Sequence, residues 1–259
     1  MFGWFKRSRR KKIRKQPWPE AWSLHLNRNV QLTWELSPDE MANLQERVKI
    51  FVAEKRWEGC DGLEVTDEIR VTIAGGACLM LLGVPNFYFD NVKTILVFPQ
   101  AFDRKVSDGV THGSQRRAGE AWQGGPIILS WRDTLKGGRN EDDGRNLVFH
   151  EFAYALDGLD GEMGGQIVFD DQQLMQQWRE TIDKEYAELV QAEEDGRRTV
   201  LDHYGATNPA EFFAVACEAF FERPRELNGE HPTLFRLMKS YFKVDPHNWQ
   251  QKRPARRKR

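Results

Sequence analysis

Cysteine is scarce in this chain. Its three residues, Cys60, Cys78 and Cys217, are odd in number and widely spaced, which excludes a disulfide framework and points to a reducing, cytoplasmic setting. Long apolar runs are missing too. The longest, residues 77–89, is broken by Gly83, Pro85 and Asn86 and falls short of the ~20 residues that span a bilayer. The basic start has no apolar core behind it, because Trp18 is followed by Pro19, Glu20 and mixed polar residues, so no secretory signal is expected. Internal repeats are absent. What remains is 40% hydrophobic and 12% aromatic, enough over 259 residues to bury a sizeable core.

Charge is plentiful but unevenly placed. The 38 Lys and Arg nearly cancel the 39 Asp and Glu, giving a formal charge of -1. Eight of the basic groups lie within residues 1–15 and six within 252–259, and neither segment holds an acid. The interior therefore carries 24 basic groups against all 39 acids, a net charge of -15. Three parts follow: a basic N-terminal arm over residues 1–19, a folded domain over 20–245 and a basic C-terminal tail over 246–259. Both ends read as disordered arms. An acidic body is unlike a nucleic-acid-binding domain, whose basic groups spread over a folded face, so direct DNA binding by the body is not expected. Contact with nucleic acid or an anionic membrane would run through the arms.

Helix signals begin at Ser37, where Ser can cap, Pro38 suits the first helical position and Glu40 can close a capping box. Met41, Leu44, Val48, Phe51 and Val52 follow at helical spacing. A second helix is expected from Thr66, ended by Gly83 and Pro85. Residues 92–98 and 126–131 read as strands around a polar excursion containing Asp103, Arg104 and Asp108. Helical periodicity returns over 145–156, 172–191, 208–222 and 233–241. Helices, a small sheet and more helices argue for a mostly helical α+β fold.

The sharpest motif is Asn146-Leu-Val-Phe-His150-Glu151-Phe-Ala-Tyr154-Ala-Leu-Asp157. His followed by Glu on an amphipathic helix is the first half of a zincin motif, in which two histidines one turn apart hold zinc and the glutamate takes a proton from metal-bound water. The second histidine position is Tyr154. A later helix opens with Asn208-Pro209-Ala-Glu211, and Tyr204 stands seven residues before Glu211. Glu211 could be a third metal ligand from a separate helix, or the glutamate of a capping box on Asn208. Spacing alone leaves both open.

Several blocks in the same order, residues 66–74 (TDEIRVTIA), 95–99, 126–133, 150–157 and 204–222, resemble the Mlc titration factor A family over roughly residues 20–245. That family consists of bacterial zinc metallopeptidases related to the catalytic domain of lethal-factor-like gluzincins. The resemblance implies a zincin-like fold with the sheet beside the active-site helix, and aminopeptidase-like hydrolysis of peptides by metal-activated water. It further implies Zn2+ ligation by His150 and Glu211, general base and acid work by Glu151, and oxyanion stabilisation by Tyr204. It places the second histidine ligand on Tyr154, and it implies a protein partner, the glucose-responsive repressor Mlc, which the family removes from DNA.

Tyr154 opens three readings of the site. A phenol is longer than imidazole and must lose a proton with a reference pKa of ~10 to bind a cation well. The metal could be held by His150, Glu211 and a Tyr154 phenolate; the chain could be a degenerate, non-catalytic binding protein; or His203 could supply the missing nitrogen. An extended approach would turn His203 away from the side that Tyr204 faces. His25, His112, His231 and His247 read as ordinary histidines. Asp157, Asp160 and Glu162 read as solvated loop carboxylates, and Glu218 and Glu222 as a solvated or salt-bridged helix face from which Glu218 could support the site. Phe212, Phe213, Phe220 and Phe221 read as core, and Cys217 as a buried structural thiol.

Overall fold

A computed structural model describes residues 2–101, 119–121, 125–159 and 161–251. The expectations for the polar excursion at 103–113, for His112, for Asp160 and for the basic groups of 252–259 fall outside the described residues. The elements run α1 (Phe2–Arg14), α2 (Glu20–Asn29), α3 (Pro38–Glu54), β1 (Arg56–Gly59), α4 (Asp67–Met80), β2 (Thr94–Phe98), β3 (Gly119–Ala121), β4 (Ile127–Ser130), α5 (Trp131–Arg139), α6 (Leu147–Asp157), α7 (Gln172–Glu194), α8 (Pro209–Glu222), α9 (Pro224–Glu230), α10 (Pro232–Phe242) and α11 (Pro246–Gln251). Short 3-10 turns occupy Gln31–Glu35 and His203–Ala206. The architecture is α+β and mostly helical.

Local chemistry places the helix starts. Both halves of the capping box at α3 form, with the Glu40 amide donating to the Ser37 hydroxyl at 3.3 Å and the Ser37 amide donating to the Glu40 carboxylate at 2.8 Å. Thr66 caps α4 through the Ile69 amide. The four strands take the order β1-β2-β4-β3, parallel except for β3. Ile95 pairs with Ile127 and Val97 with Leu129, and all four side chains are buried. β1 is absent from the sequence reading because Arg56-Trp57-Glu58-Gly59 carries no apolar run. Its parallel pairing with β2 across α4 makes one local βαβ connection inside the α+β fold.

One hydrophobic core runs through these layers. Phe152 of α6 lies 4.6 Å from Phe89 and 5.7 Å from Phe51 between ring centroids, and Phe149 lies 4.9 Å from Phe221 of α8. Phe212, Phe213, Phe220 and Phe221 are all fully buried, as expected of core residues. α6 packs against α4, α8 and the β3–β4 side of the sheet. Gly76 allows the α4 approach, since a Cβ there would come within 2.9 Å of Val148 Cγ1. At Gly165, φ is +72° and a Cβ would sit 2.5 Å from the Pro209 carbonyl, so the loop before α7 closes on the start of α8 only with glycine.

The N-terminal segment is not the disordered arm expected. α1 docks on α3: Ile13 is buried with Ile50 and Tyr88, and the Arg10 guanidinium donates to both Glu54 oxygens at 2.9 and 2.6 Å and also to Asp90. Lys49 closes the C-terminus of α1 by donating to the Arg14 and Gln16 carbonyls at 2.7 and 2.6 Å. Counting like charges along the chain missed this, because the compensating carboxylates come from distant segments. At the other end Trp249 of α11 is buried, its indole N–H donating to Glu40 at 3.0 Å.

His231, at the start of α10, pairs with Glu185 of α7 at 2.6 Å. The hydrogen bond that His231 donates to Glu185 outweighs burial and raises the His231 pKa above the ordinary imidazole value. A raised folded-state pKa contributes stability that is complete below the unfolded value near 6.5 and lost as pH rises through the folded value. Urea unfolding of the parent and of His231→Phe should therefore differ by about 1–2 kcal/mol more near pH 6 than near pH 9.

Candidate functional site

Asn146 sets the entry to α6. Its side-chain oxygen accepts from the Val148 and Phe149 amides at 3.1 and 3.3 Å, a regular N-cap. Its own amide donates to Glu218 Oε1 at 2.7 Å, its Nδ2 donates to Glu222 Oε1 at 2.9 Å, and the Arg145 amide donates to Glu222 Oε2 at 3.0 Å. Two carboxylates of α8 thus grip the start of α6. Glu218 and Glu222 are buried, not solvated, and of the alternatives read from sequence Glu218 takes the one that supports the site, through His150. Burial also holds the Glu222 pKa well above the usual carboxylate range.

One turn into α6 the functional groups meet. His150 Nε2 is 3.1 Å from both the Tyr154 hydroxyl and Glu211 Oε2, and His150 Nδ1 is 3.1 Å from Glu218 Oε2. The Tyr204 hydroxyl donates to Glu211 Oε1 at 3.1 Å. Glu151, buried on the same helix, lies close enough for its charge to act on both His150 and Tyr154. The five residues singled out from sequence, His150, Glu151, Tyr154, Tyr204 and Glu211, stand together.

The structure separates the two readings of Glu211. Its amide donates to the Asn208 cap at 2.9 Å, but its carboxylate meets His150, Tyr154 and Tyr204, where a capping box would send it back to the Asn208 amide. Tyr204 sits in a 3-10 turn, not in an extended approach, and among the described residues no hydrogen bond joins His203 of that turn to these donors. Asp157, expected in solvent, is buried at the end of α6, while Glu162 is exposed. Cys217 is a buried thiol whose pKa burial pushes well up, which leaves it without nucleophilic character.

Electrostatics couples the cluster. Burial pulls the His150 pKa down, but hydrogen bonds with Glu211 and Glu218 outweigh it and leave it well above the ordinary imidazole value. Burial would raise Glu211, yet hydrogen bonds from His150, Tyr154 and Tyr204 bring it below the usual carboxylate range. Tyr154 is driven far above the ordinary phenol value by burial first and by the neighbouring Glu211 second. These contacts favour the charged forms of His150 and Glu211 and the neutral phenol of Tyr154, while burial raises the Glu218 pKa above the usual carboxylate range.

The donors suit a metal in kind and spacing. Imidazole nitrogen and carboxylate oxygen are ordinary zinc ligands, and Glu218 on Nδ1 turns Nε2 inward, as the outer carboxylate of a metal-bound histidine does. Separations of 3.1 Å from Nε2 to the two oxygens are near the ~3.3–3.6 Å edge of a tetrahedron with metal bonds of about 2.0–2.2 Å. The third donor is a phenol, and among the described residues no three His, Cys, Asp or Glu side chains form a group that could hold a metal ion by themselves. A fit therefore requires the Tyr154 phenol to give its proton to a base or to water, so that its oxygen would meet the cation as a phenolate.

The chain matches, over residues 4–243, the family described as glucose-regulated metallo-peptidase M90. It belongs to that family. This M90 chain is 36% identical over 244 residues to the uncharacterized protein slr2042 of Synechocystis sp., covering 92% of this chain and 89% of that one. It is 32% identical over 241 residues to Mlc titration factor A of Salmonella agona, covering 89% of this chain and 86% of the relative. To Mlc titration factor A of Klebsiella pneumoniae it is 29% identical over 238 residues, covering 84% and 88%. The M90 assignment bears out the resemblance found in the separate sequence blocks. Among the described residues of this M90 member no helix is long and apolar enough to cross a membrane.

Asn146 is the contributor that sequence reading passed over, although an Asn just before an apolar-periodic run signals a cap. Asn146→Ala removes the cap of α6 and the amide that meets Glu222. Chemical denaturation should show a loss of about 2–3 kcal/mol, more than the ~1 kcal/mol typical of a cap alone.

Proposed function

We propose that this M90 chain is a cytoplasmic zinc-dependent peptidase of aminopeptidase-like action on a zincin-like fold. The observation that carries the reading is the convergence of His150 Nε2, the Tyr154 hydroxyl and Glu211 Oε2 beside Glu151 and Tyr204. His150, Glu211 and Tyr154 would hold the ion. Bound zinc supplies Lewis-acid polarisation of water and of the scissile carbonyl. Glu151 accepts the proton of the attacking water and returns it to the leaving amine, a transfer worth typically 10²–10⁴-fold. Tyr204, 51% exposed, can turn its phenol from Glu211 to the oxygen of the tetrahedral adduct. Glu218 keeps the His150 ring oriented.

The relatives' name, Mlc titration factor A, supports a second role for this chain, binding an Mlc-type repressor and so regulating glucose-uptake genes. An acidic body favours protein contact over competition for DNA. One observation favours a non-catalytic variant of this role: with Tyr154 in place of histidine, the donors already satisfy one another by hydrogen bonds. In that reading the chain sequesters its repressor without hydrolysis.

Metal analysis after purification without added metal decides between them. The peptidase reading expects stoichiometric zinc in the parent, tighter zinc in Tyr154→His by about tenfold or more, and unchanged zinc but a 10²–10⁴-fold loss of hydrolysis of short unblocked peptides in Glu151→Gln. A parent that holds no zinc and cleaves nothing, while still binding the repressor, establishes the sequestering reading. Equal cleavage by Glu151→Gln and the parent refutes the role given to Glu151.

A further inference from the structure

The proposed peptidase site makes no use of α1, the most basic element of the chain. One face of this 13-residue helix, about 20 Å long, is spent on docking through Lys6, Arg10 and Ile13. At 100° per residue, Trp4, Phe5, Arg7, Lys11 and Lys12 fall on the opposite arc. Trp4 and Phe5 are 70% and 60% exposed, their rings edge to face at 5.2 Å. Arg7, Lys11 and Lys12 are exposed, and no ion pair is seen for any of them among the described residues. Large exposed aromatics at the head of a cationic helix face are unusual on a protein surface that meets only water.

We propose that α1 is an interfacial docking helix that lays this face on an anionic lipid surface. Three observations carry it. First, the helix is held rigidly by Arg10 between Glu54 and Asp90 and by the Tyr88 ring 4.2 Å beneath the guanidinium, so it presents a preformed outer face. Second, that face joins aromatic rings, which favour the headgroup level, to cations complementary to an anionic leaflet. Third, the body behind it is acidic, which turns the rest of the chain away from a negative surface and fixes one orientation. A cleft of about 320 Å³ along the same helix, walled by Phe5, Lys6, Arg9, Val92 and Lys93, has its two carboxylates, Glu54 and Asp90, already paired with Arg10 and Lys6, which leaves a cationic rim. Nucleic acid is the less suited partner: the cations follow one short helix, and its aromatic pair is packed edge to face and not laid open as stacking platforms.

The test is co-sedimentation of the full chain with vesicles of phosphatidylcholine containing about one third phosphatidylglycerol, with pure phosphatidylcholine vesicles and a single-stranded oligonucleotide as the other arms. Binding is expected to the anionic vesicles and not to the neutral ones. Each cation near such a surface strengthens binding roughly fivefold, so Arg7→Ser with Lys11→Ser should weaken it roughly 25-fold, and Trp4→Ser with Phe5→Ser about tenfold or more. These four side chains are exposed, and unchanged urea midpoints will show that the variants fold. Absence of vesicle binding, binding that survives both double variants, or binding to the oligonucleotide alone overturns the proposal.

Discussion

A single imidazole held between carboxylates is the contact on which the site depends. His150 belongs to α6, while Glu211 and Glu218 belong to α8, so the ring is fixed only when the two helices are packed. The packing is supplied by Phe149 against Phe221 and by the Asn146 cap, whose amides reach Glu218 and Glu222. Buried carboxylates are costly when left without partners. Here Glu218 is tied at one oxygen to a backbone amide and at the other to the ring, which makes the polar cluster and the aromatic core one cooperative unit.

That unit also explains why Tyr154 is tolerated. A phenol one turn after His150 points into the same space as a second imidazole would, and its hydroxyl finds Nε2 and Glu211 within hydrogen-bond reach. The substitution keeps the polar balance of the cluster while changing its chemistry, because the phenol holds its proton where a neutral imidazole offers a lone pair. Burial strengthens that tendency. Tyr154 thus belongs to the hydrogen-bonded cluster as a buried phenol that holds its proton.

Charge is organised on a larger scale. The net charge of -1 is a cancellation between an acidic body and basic ends, and the N-terminal basic segment is a docked helix with one face committed to the body and another facing outward. A charge count along the chain finds the segment but not its structure. Glu54 and Asp90, which neutralise Arg10, lie 44 and 80 residues away from it.

Sequence alone placed the helix starts at Ser37, Thr66 and Asn208 and the two strands within residues 92–98 and 126–131, while the grouping of His150, Glu151, Tyr154, Tyr204 and Glu211 rested on resemblance to a known family, since spacing left Glu211 open. Capping, alternation and motif spacing are local, so a single chain displays them. Tertiary structure alone decided that Glu211 faces His150 and does not close its own helix, that Glu218 and Glu222 are buried against Asn146, and that the basic N-terminus is a docked helix. It also added β1, whose four residues become a strand only by pairing with β2. Each of these rests on a partner distant in sequence, and the free energy of such contacts exists only after the chain has brought the partners together.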